Sequence, residues 1–352
     1  MIHRPMRTVV LINKQVGLSI IEIMVALLLS SLLMLGLFQV FTSNSQSFRL
    51  NEANSRVQET GRIALEILSR AVRNAGYYGC QPAGGFTNNI NTGDSDFDES
   101  IHGFDQGQAI FSGNSGRPAD ALSGTDYIRV AGLAGEDLDL RLDGDAVSVD
   151  FSLVSVGDLE QGNIVFITDC SSGDIFQLSS VDSDDNEIEA SGNSINDFSP
   201  NNPEGCTAAG GVCLSAEYED GTRVMKGAIS NYFLSDQPTH AEPALYRDSD
   251  ALVSGVERMQ VQYGTGPNLT VTDWKSVGDM GASDWPNVLA ARISILVRSA
   301  ADNVVVEPQT ICFPGPTWDG QDCSDSSNLE TMPDRRLYRV YTTTAALRNR
   351  VQ

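Results

Sequence analysis

Glu22 stands inside an otherwise apolar stretch, GLSIIEIMVALLLSSLLMLGLF, over residues 17–38. A carboxylate in hydrocarbon costs roughly 2.5–3.5 kcal/mol at a helix centre and less near an end, so it marks a functional site once a cationic partner can be named. The chemistry this position offers is charge pairing at the edge of a membrane. Two acidic runs invite a different test, calcium binding. Asp182, Asp184 and Asn186 fit the first ligand positions of a D-x-D-x-N loop. Glu187 then replaces the glycine of position six, and Asn193 replaces the bidentate glutamate of position twelve. Asp94, Asp96 and Asp98 fail in the same way, with Glu99 at position six. Both runs read as solvated loop tips. There is no G-x-S-x-G elbow, Walker loop, H-E-x-x-H or G-x-G-x-x-G at a strand–helix turn. The expectation is a protein that is not an enzyme and holds no cofactor or metal.

The six cysteines, Cys80, Cys170, Cys206, Cys213, Cys312 and Cys323, all lie beyond the apolar run. An even count in an exported chain reads as disulfides formed in an oxidising compartment. A zinc site needs tighter clusters than C-x6-C and C-x10-C. Short loops close most readily, which favours Cys206–Cys213 and Cys312–Cys323 and leaves Cys80–Cys170 as the long-range bridge.

Charge sets the orientation. The formal net charge is −23, yet residues 1–17 hold Arg4, Arg7 and Lys14 and no acid. Removing those three leaves 20 basic against 46 acidic residues, a net of −26. So acidic a chain repels phosphate backbones and anionic membrane surfaces, which makes nucleic acid a poor partner. A basic flank before an apolar run, with acidic chain after it, puts the N-terminus in the cytoplasm and the bulk outside.

The element that must carry Glu22 is a helix. Residues 18–41 would extend about 36 Å, enough to span a bilayer. The pattern then continues: Val57, Thr60/Gly61, Ala64, Ile67/Leu68, Ala71 and Ala75 recur every three or four residues among charged neighbours. A continuous helix over 18–75 would be a rod of about 87 Å, weakest at 42–54 and stopped by Gly76. Residues 81–125 show no convincing element. Strands are expected at 127–130, 146–151, 164–168, 175–181, 188–190, 229–234, 244–246, 256–263, 288–298, 303–306 and 337–343. The fold class is α+β: one long N-terminal helix, transmembrane in its first half and amphipathic in its second, packed on an antiparallel β-sheet head. Two plainer readings of the apolar run stay open. One is a secretory signal cleaved after small residues such as Ser43 or Ser45; the other is a simple signal anchor.

KQVGLSIIEIMVALLLSSLLMLGL resembles the class III signal of type IV prepilins and type II secretion pseudopilins. The resemblance implies cleavage between Gly17 and Leu18 by a prepilin peptidase, methylation of the new N-terminus at Leu18, and Glu22 as the fifth mature residue. Leu18 departs from the commoner Phe, and Gln15-Val16 stands where a basic residue is frequent. The chain further resembles the PilW type of minor pilin through ILSRAVRNAGYYGC, ALVSGVERMQVQYG, VLAARISILVRS and RRLYRVYTTTAALRNR. This implies a pilin-like fold with a leader at 1–17, a transmembrane half-helix at 18–41, an amphipathic half at 42–76 and a periplasmic or extracellular head at 77–352. It also implies a minor pilin that primes type IV pilus assembly at or near the tip. Its partners would be other minor pilins, the major pilin, the inner-membrane assembly platform and a PilY-type tip adhesin. It would start as a single-pass inner-membrane protein with its head in the periplasm. The rival reading is a J-like minor pseudopilin of a type II secretion system.

Overall fold

The computed structural model describes residues 19–80, 85–104, 109–113, 116–133, 140–191, 195–198, 213–237, 242–313, 323 and 329–350. The chain divides into two units, Met1–Glu52 and Ala53–Gln352. Helix α1, Ile20–Asn74, contributes to both. Within it there is no proline, and the hydroxyls of Ser31 and Thr42 back-bond to the preceding turn. Ser31 Oγ donates to the Leu28 carbonyl at 2.8 Å, and Thr42 Oγ1 to those of Phe38 and Gln39 at 3.0 Å each. The Ser- and Asn-rich stretch 42–54, expected to be the weakest part, is helical throughout.

In the first unit every described side chain from Ser19 to Glu52 is exposed except Ser45, which is half-buried. The second unit begins where a buried stripe begins: Ala53, Val57, Gly61, Ala64, Leu68 and Val72, spaced to fall on one helix face. The stripe packs on a four-stranded antiparallel sheet with the order Asp273–Ser276, Val256–Thr265, Val288–Arg298, Tyr338–Ala346. Leu68 and Val72 join Met259, Val261, Ile293 and Ile295 in one core. Gly61 permits the approach, because a Cβ there would lie 2.5 Å from the Tyr341 ring. The helix ends at Asn74, and Gly76 at φ +70° turns the chain while donating its N–H to the Ala131 carbonyl at 2.8 Å.

A nine-stranded sheet forms the rest of the head's frame. Its spine is Arg223–Ser235, thirteen residues that pair antiparallel with Ile128–Leu133, Leu140–Arg141, Ile164–Thr168 and Ala244–Arg247. Gly173–Gln177 pairs antiparallel with Ile164–Thr168, and Thr87–Asn88 lies parallel to Gly173–Gln177. A second core of Leu142, Leu153, Phe176, Leu178, Leu214 and Tyr218 lies under smaller strand pairs.

Four expectations need correction. The strand expected at 303–306 is a turn: Asn303 sits at φ +59°, and the Val304 and Val305 amides both donate to the Arg335 carbonyl at 2.9 and 3.0 Å. Val304 is buried, so an apolar run there imitated a strand. Residues 81–125 are not without elements: Thr87–Asn88, Glu99–His102 and Ile110–Phe111 are short, and Ile110–Phe111 pairs with Ile128–Leu133. Two expected single strands are each split: 146–151 is Ala146–Ser148 and Asp150–Ser152, which belong to different sheets, and 175–181 is Gly173–Gln177 and Ser180–Asp182.

One carboxyl in this frame titrates unusually. Asp126 accepts the Val261 N–H at 2.8 Å, and its own amide donates to the Met259 carbonyl at 2.8 Å, fastening the preceding loop to the Val256–Thr265 strand. Burial raises its pKa from the usual 3.8 to about 6, against the lowering effects of the Val261 N–H and Arg117. A carboxyl raised in the folded state makes the native protein bind more protons than the unfolded chain between pH 3.8 and about 6. Its contribution to stability therefore falls as pH rises through that window, by at most about 3 kcal/mol. Asp126→Asn should abolish this component, so that the wild-type and variant stability curves converge near pH 4 and separate towards pH 7, with the variant the more stable. Denaturant unfolding at a series of pH values checks it; parallel curves would refute the assignment.

Candidate functional site

The start of α1 holds a reciprocal pair of hydrogen bonds. Ser19 Oγ accepts the Ile21 N–H at 3.3 Å, and Glu22 Oε2 accepts the Ser19 N–H at 3.1 Å. This is a capping box, S-x-x-E, in which an N-cap hydroxyl and the carboxylate three residues on satisfy amides that a helix start leaves orphaned. Glu22 also sits where the helix dipole favours a negative charge. Gly17 and Leu18 lie outside the described residues. Ser19, whose side chain orders this end, was missed in the sequence reading although the S-x-x-E pattern is plain there.

From residue 23 to residue 38 the helix presents only apolar and small side chains to the outside. Ile23, Leu27, Leu32, Leu35, Phe38 and Phe41 are all exposed. One helix in the described residues is long and apolar enough to cross a membrane, and this segment is the reason; none of it is buried within the protein.

The cysteines lie in the second unit. Cys80 and Cys170 form a disulfide with their Cα atoms 5.2 Å apart, joining the segment after α1 to the turn between Ile164–Thr168 and Gly173–Gln177. Cys312 and Cys323 form another, with Cα atoms 5.7 Å apart. Cys213 is disulfide-bonded, and Cys206 lies outside the described residues.

The acidic runs serve turns. Asp182 Oδ1 accepts the amides of Asp184 and Asp185 at 2.9 and 3.2 Å, and Asp94 Oδ1 accepts that of Asp96 at 2.8 Å. Asn186, at φ +57°, turns its Oδ1 to the Val156 amide at 3.3 Å. Asn193 is outside the described residues. Among the described residues no three of His, Cys, Asp and Glu are grouped to hold a metal ion. His102 accepts the Asp98 N–H at Nδ1, 2.9 Å, and burial lowers its pKa despite the nearby Asp98 carboxylate.

With these features in place, the match to known families falls on the sheet that α1 covers. Residues 231–349 match the family of PilW, the type IV pilus-assembly protein W. The PilW segment starts inside the spine strand Arg223–Ser235 and runs through the whole four-stranded sheet to its last strand, Tyr338–Ala346. It thus holds all four strands of the sheet that shares a core with the buried stripe of α1, a core that Ile110 and Ile128 join from outside the matched segment. A type IV-like pilin from Thermus thermophilus is similar in structure, at 12% identity and a TM-score of 0.35, covering 84% of this chain and 99% of that chain. No curated protein matches the chain.

Proposed function

We propose that this protein is a minor pilin, cut after Gly17, anchored by residues 18–41, and working with other minor pilins to prime a type IV pilus at or near its tip. The observation that carries the reading is the pairing of a PilW-matching head sheet with an exposed apolar helix whose first turn carries Glu22. An apolar helix with no covering within its own chain needs lipid or the helices of other subunits. A pilus supplies each in turn, first the inner membrane and then the filament. The role is structural, with no cofactor. The leader at 1–17, the membrane half at 18–41, the amphipathic half at 42–76 and the head at 77–352 are the working divisions.

Glu22 has two separable roles on this reading. As the N3 member of the capping box it satisfies the Ser19 amide, in a box whose N-cap residue, Ser19, contributes about 0.5–2 kcal/mol to helix start. As a charge it pairs with the methylated amine of Leu18, or with that of a neighbouring subunit, and a buried charge robbed of its partner costs about 3–5 kcal/mol. Glutamine serves a capping box as glutamate does but carries no charge. In a deletion strain, Glu22→Gln should therefore be cleaved and folded yet fail to restore piliation, whereas Ser19→Ala, which loses the cap and keeps the charge, should restore most of it. Mass spectrometry of the mature protein should give an N-terminus at Leu18 bearing a methyl group, and Gly17→Glu should retain the leader. A mature protein starting at Met1 or near Gln46, or full piliation by Glu22→Gln, would overturn the reading.

A further inference from the structure

The second unit contains an open cleft of about 1130 Å³ between the last turns of α1 and the spine of the nine-stranded sheet. Its lining includes Arg70 and Arg73 from the helix, Arg223 and Lys226 from the spine strand, Arg247, and Arg348. These are six of the 20 basic residues that the chain holds beyond residue 17, gathered in one place on a molecule of net charge −23. Glu66 is the one acid among the lining residues. Chance distribution on an acidic surface does not concentrate cations in this way, and holding them together in a concavity raises the local positive potential.

We propose that this cleft is a docking site for an extended acidic segment of a partner protein. Three features select that occupant. Five of the six cations are arginines, whose planar forks grip carboxylates bidentately. Several already hold weak, exposed ion pairs that an incoming carboxylate can replace. Arg70 lies 3.8 Å from Glu66, Lys226 3.6 Å from Asp158 and Arg247 3.6 Å from Asp250. Tyr77 lines the same cleft with half its surface exposed, and a tyrosine beside arginines is the usual composition of an energetic centre in a protein interface. The cleft exceeds the roughly 300–1,000 Å³ of small-molecule pockets, in keeping with a chain segment. A nucleic acid is disfavoured because its regularly spaced phosphates would extend past the cleft over the acidic remainder of the head, whereas a peptide brings only the few carboxylates the cleft can meet.

The inference is independent of the pilus reading, since binding can be measured without processing or assembly. The full chain in detergent micelles is titrated into a fluorescent aspartate-rich peptide. Parallel titrations use the same peptide with asparagine at those positions and an oligothymidylate of equal charge. The aspartate peptide should bind in a salt-sensitive manner. Arg73→Glu/Arg348→Glu should weaken it at least about tenfold, and Arg73→Gln/Arg348→Gln should weaken it less. Arg62→Glu, on an exposed part of α1 outside the cleft, should leave it unchanged. Circular dichroism establishes that each variant is folded, and the glutamine pair serves if the reversal does not fold. The proposal is overturned if the aspartate peptide does not bind, if the asparagine peptide binds equally, if neither cleft variant weakens binding, or if the oligothymidylate binds as tightly.

Discussion

Replacing Asp174 with alanine should cost the head about 3–5 kcal/mol, because it strands several buried donors at about 1–3 kcal/mol each, partly offset by relaxation. Asp174 is fully buried in the Gly173–Gln177 strand. Its Oδ2 accepts the Tyr218 hydroxyl at 2.7 Å, the Ser215 hydroxyl at 2.8 Å and the Ser215 N–H at 3.0 Å, while Oδ1 accepts the Asn89 amide at 3.0 Å. Burial first, and this carboxylate second, push the Tyr218 phenol far above its ordinary pKa, so it stays a donor at all working pH values. Among the described residues, strand Cys213–Tyr218 pairs with Ala146–Ser148 at its two ends, and Asp174 ties it to the larger sheet. Asp174→Asn should cost less than Asp174→Ala, because an amide keeps one acceptor oxygen but turns two hydrogens towards existing donors. Urea unfolding followed by tyrosine fluorescence measures both. A loss below about 1 kcal/mol for the alanine variant would mean that water replaces the carboxylate without penalty.

The second large effect is expected from Cys80–Cys170, which closes a separation of 90 residues. Constraint of the unfolded chain over such a loop is worth about 4–5 kcal/mol, against about 3 kcal/mol for the separation of 11 closed by Cys312–Cys323. The double variant Cys80→Ser/Cys170→Ser should thus lose more stability than Cys312→Ser/Cys323→Ser. The ordering is the test, because native strain affects each absolute value. Equal melting temperatures for the two double variants, measured without reductant, would show that loop entropy does not govern these bridges.

How much of this could be seen in the sequence depended on whether the decisive signal was local. The buried stripe of α1 repeats along one segment, and the helix read from it matches α1 to within two residues at either end. The strands at 164–168 and 288–298 were equally plain, as β-branched runs bounded by turn residues. The spine is expected at 229–234 and is really Arg223–Ser235, running on through Gly227. That glycine admits Phe166, whose ring would lie 2.5 Å from any Cβ there. Strand Cys213–Tyr218 was not read, since Glu217 interrupts its apolar pattern. Nothing near Asp174 in sequence marks it as buried, because its donors come from residues 89, 215 and 218. The basic cleft was invisible for the same reason: its cations are spread from residue 70 to residue 348. At the start of the helix the difficulty was different. Glu22 drew notice as a charge in the wrong solvent, and its partner in the capping box went unread beside it.

The spine strand also bears on how fast the head can form. Ile128 pairs with Tyr232, Arg223 with Thr168, and Tyr232 in turn with Arg247, so the earliest of the spine's partners in the chain waits for a strand made about a hundred residues later. The entropy of closing such loops must be met before any pairing rewards it, which places the slow step of folding at the completion of Arg223–Ser235. Until then Ile128–Leu133 and Ile164–Thr168 present open edges and apolar faces. A chain emerging in order from its N-terminus passes through a long interval when self-association competes with folding. The hairpins Ala244–Arg247/Asp250–Ser254 and Val256–Thr265/Asp273–Ser276 are local and can close early, so the segment that matches PilW contains both early pairings and the end of the slowest.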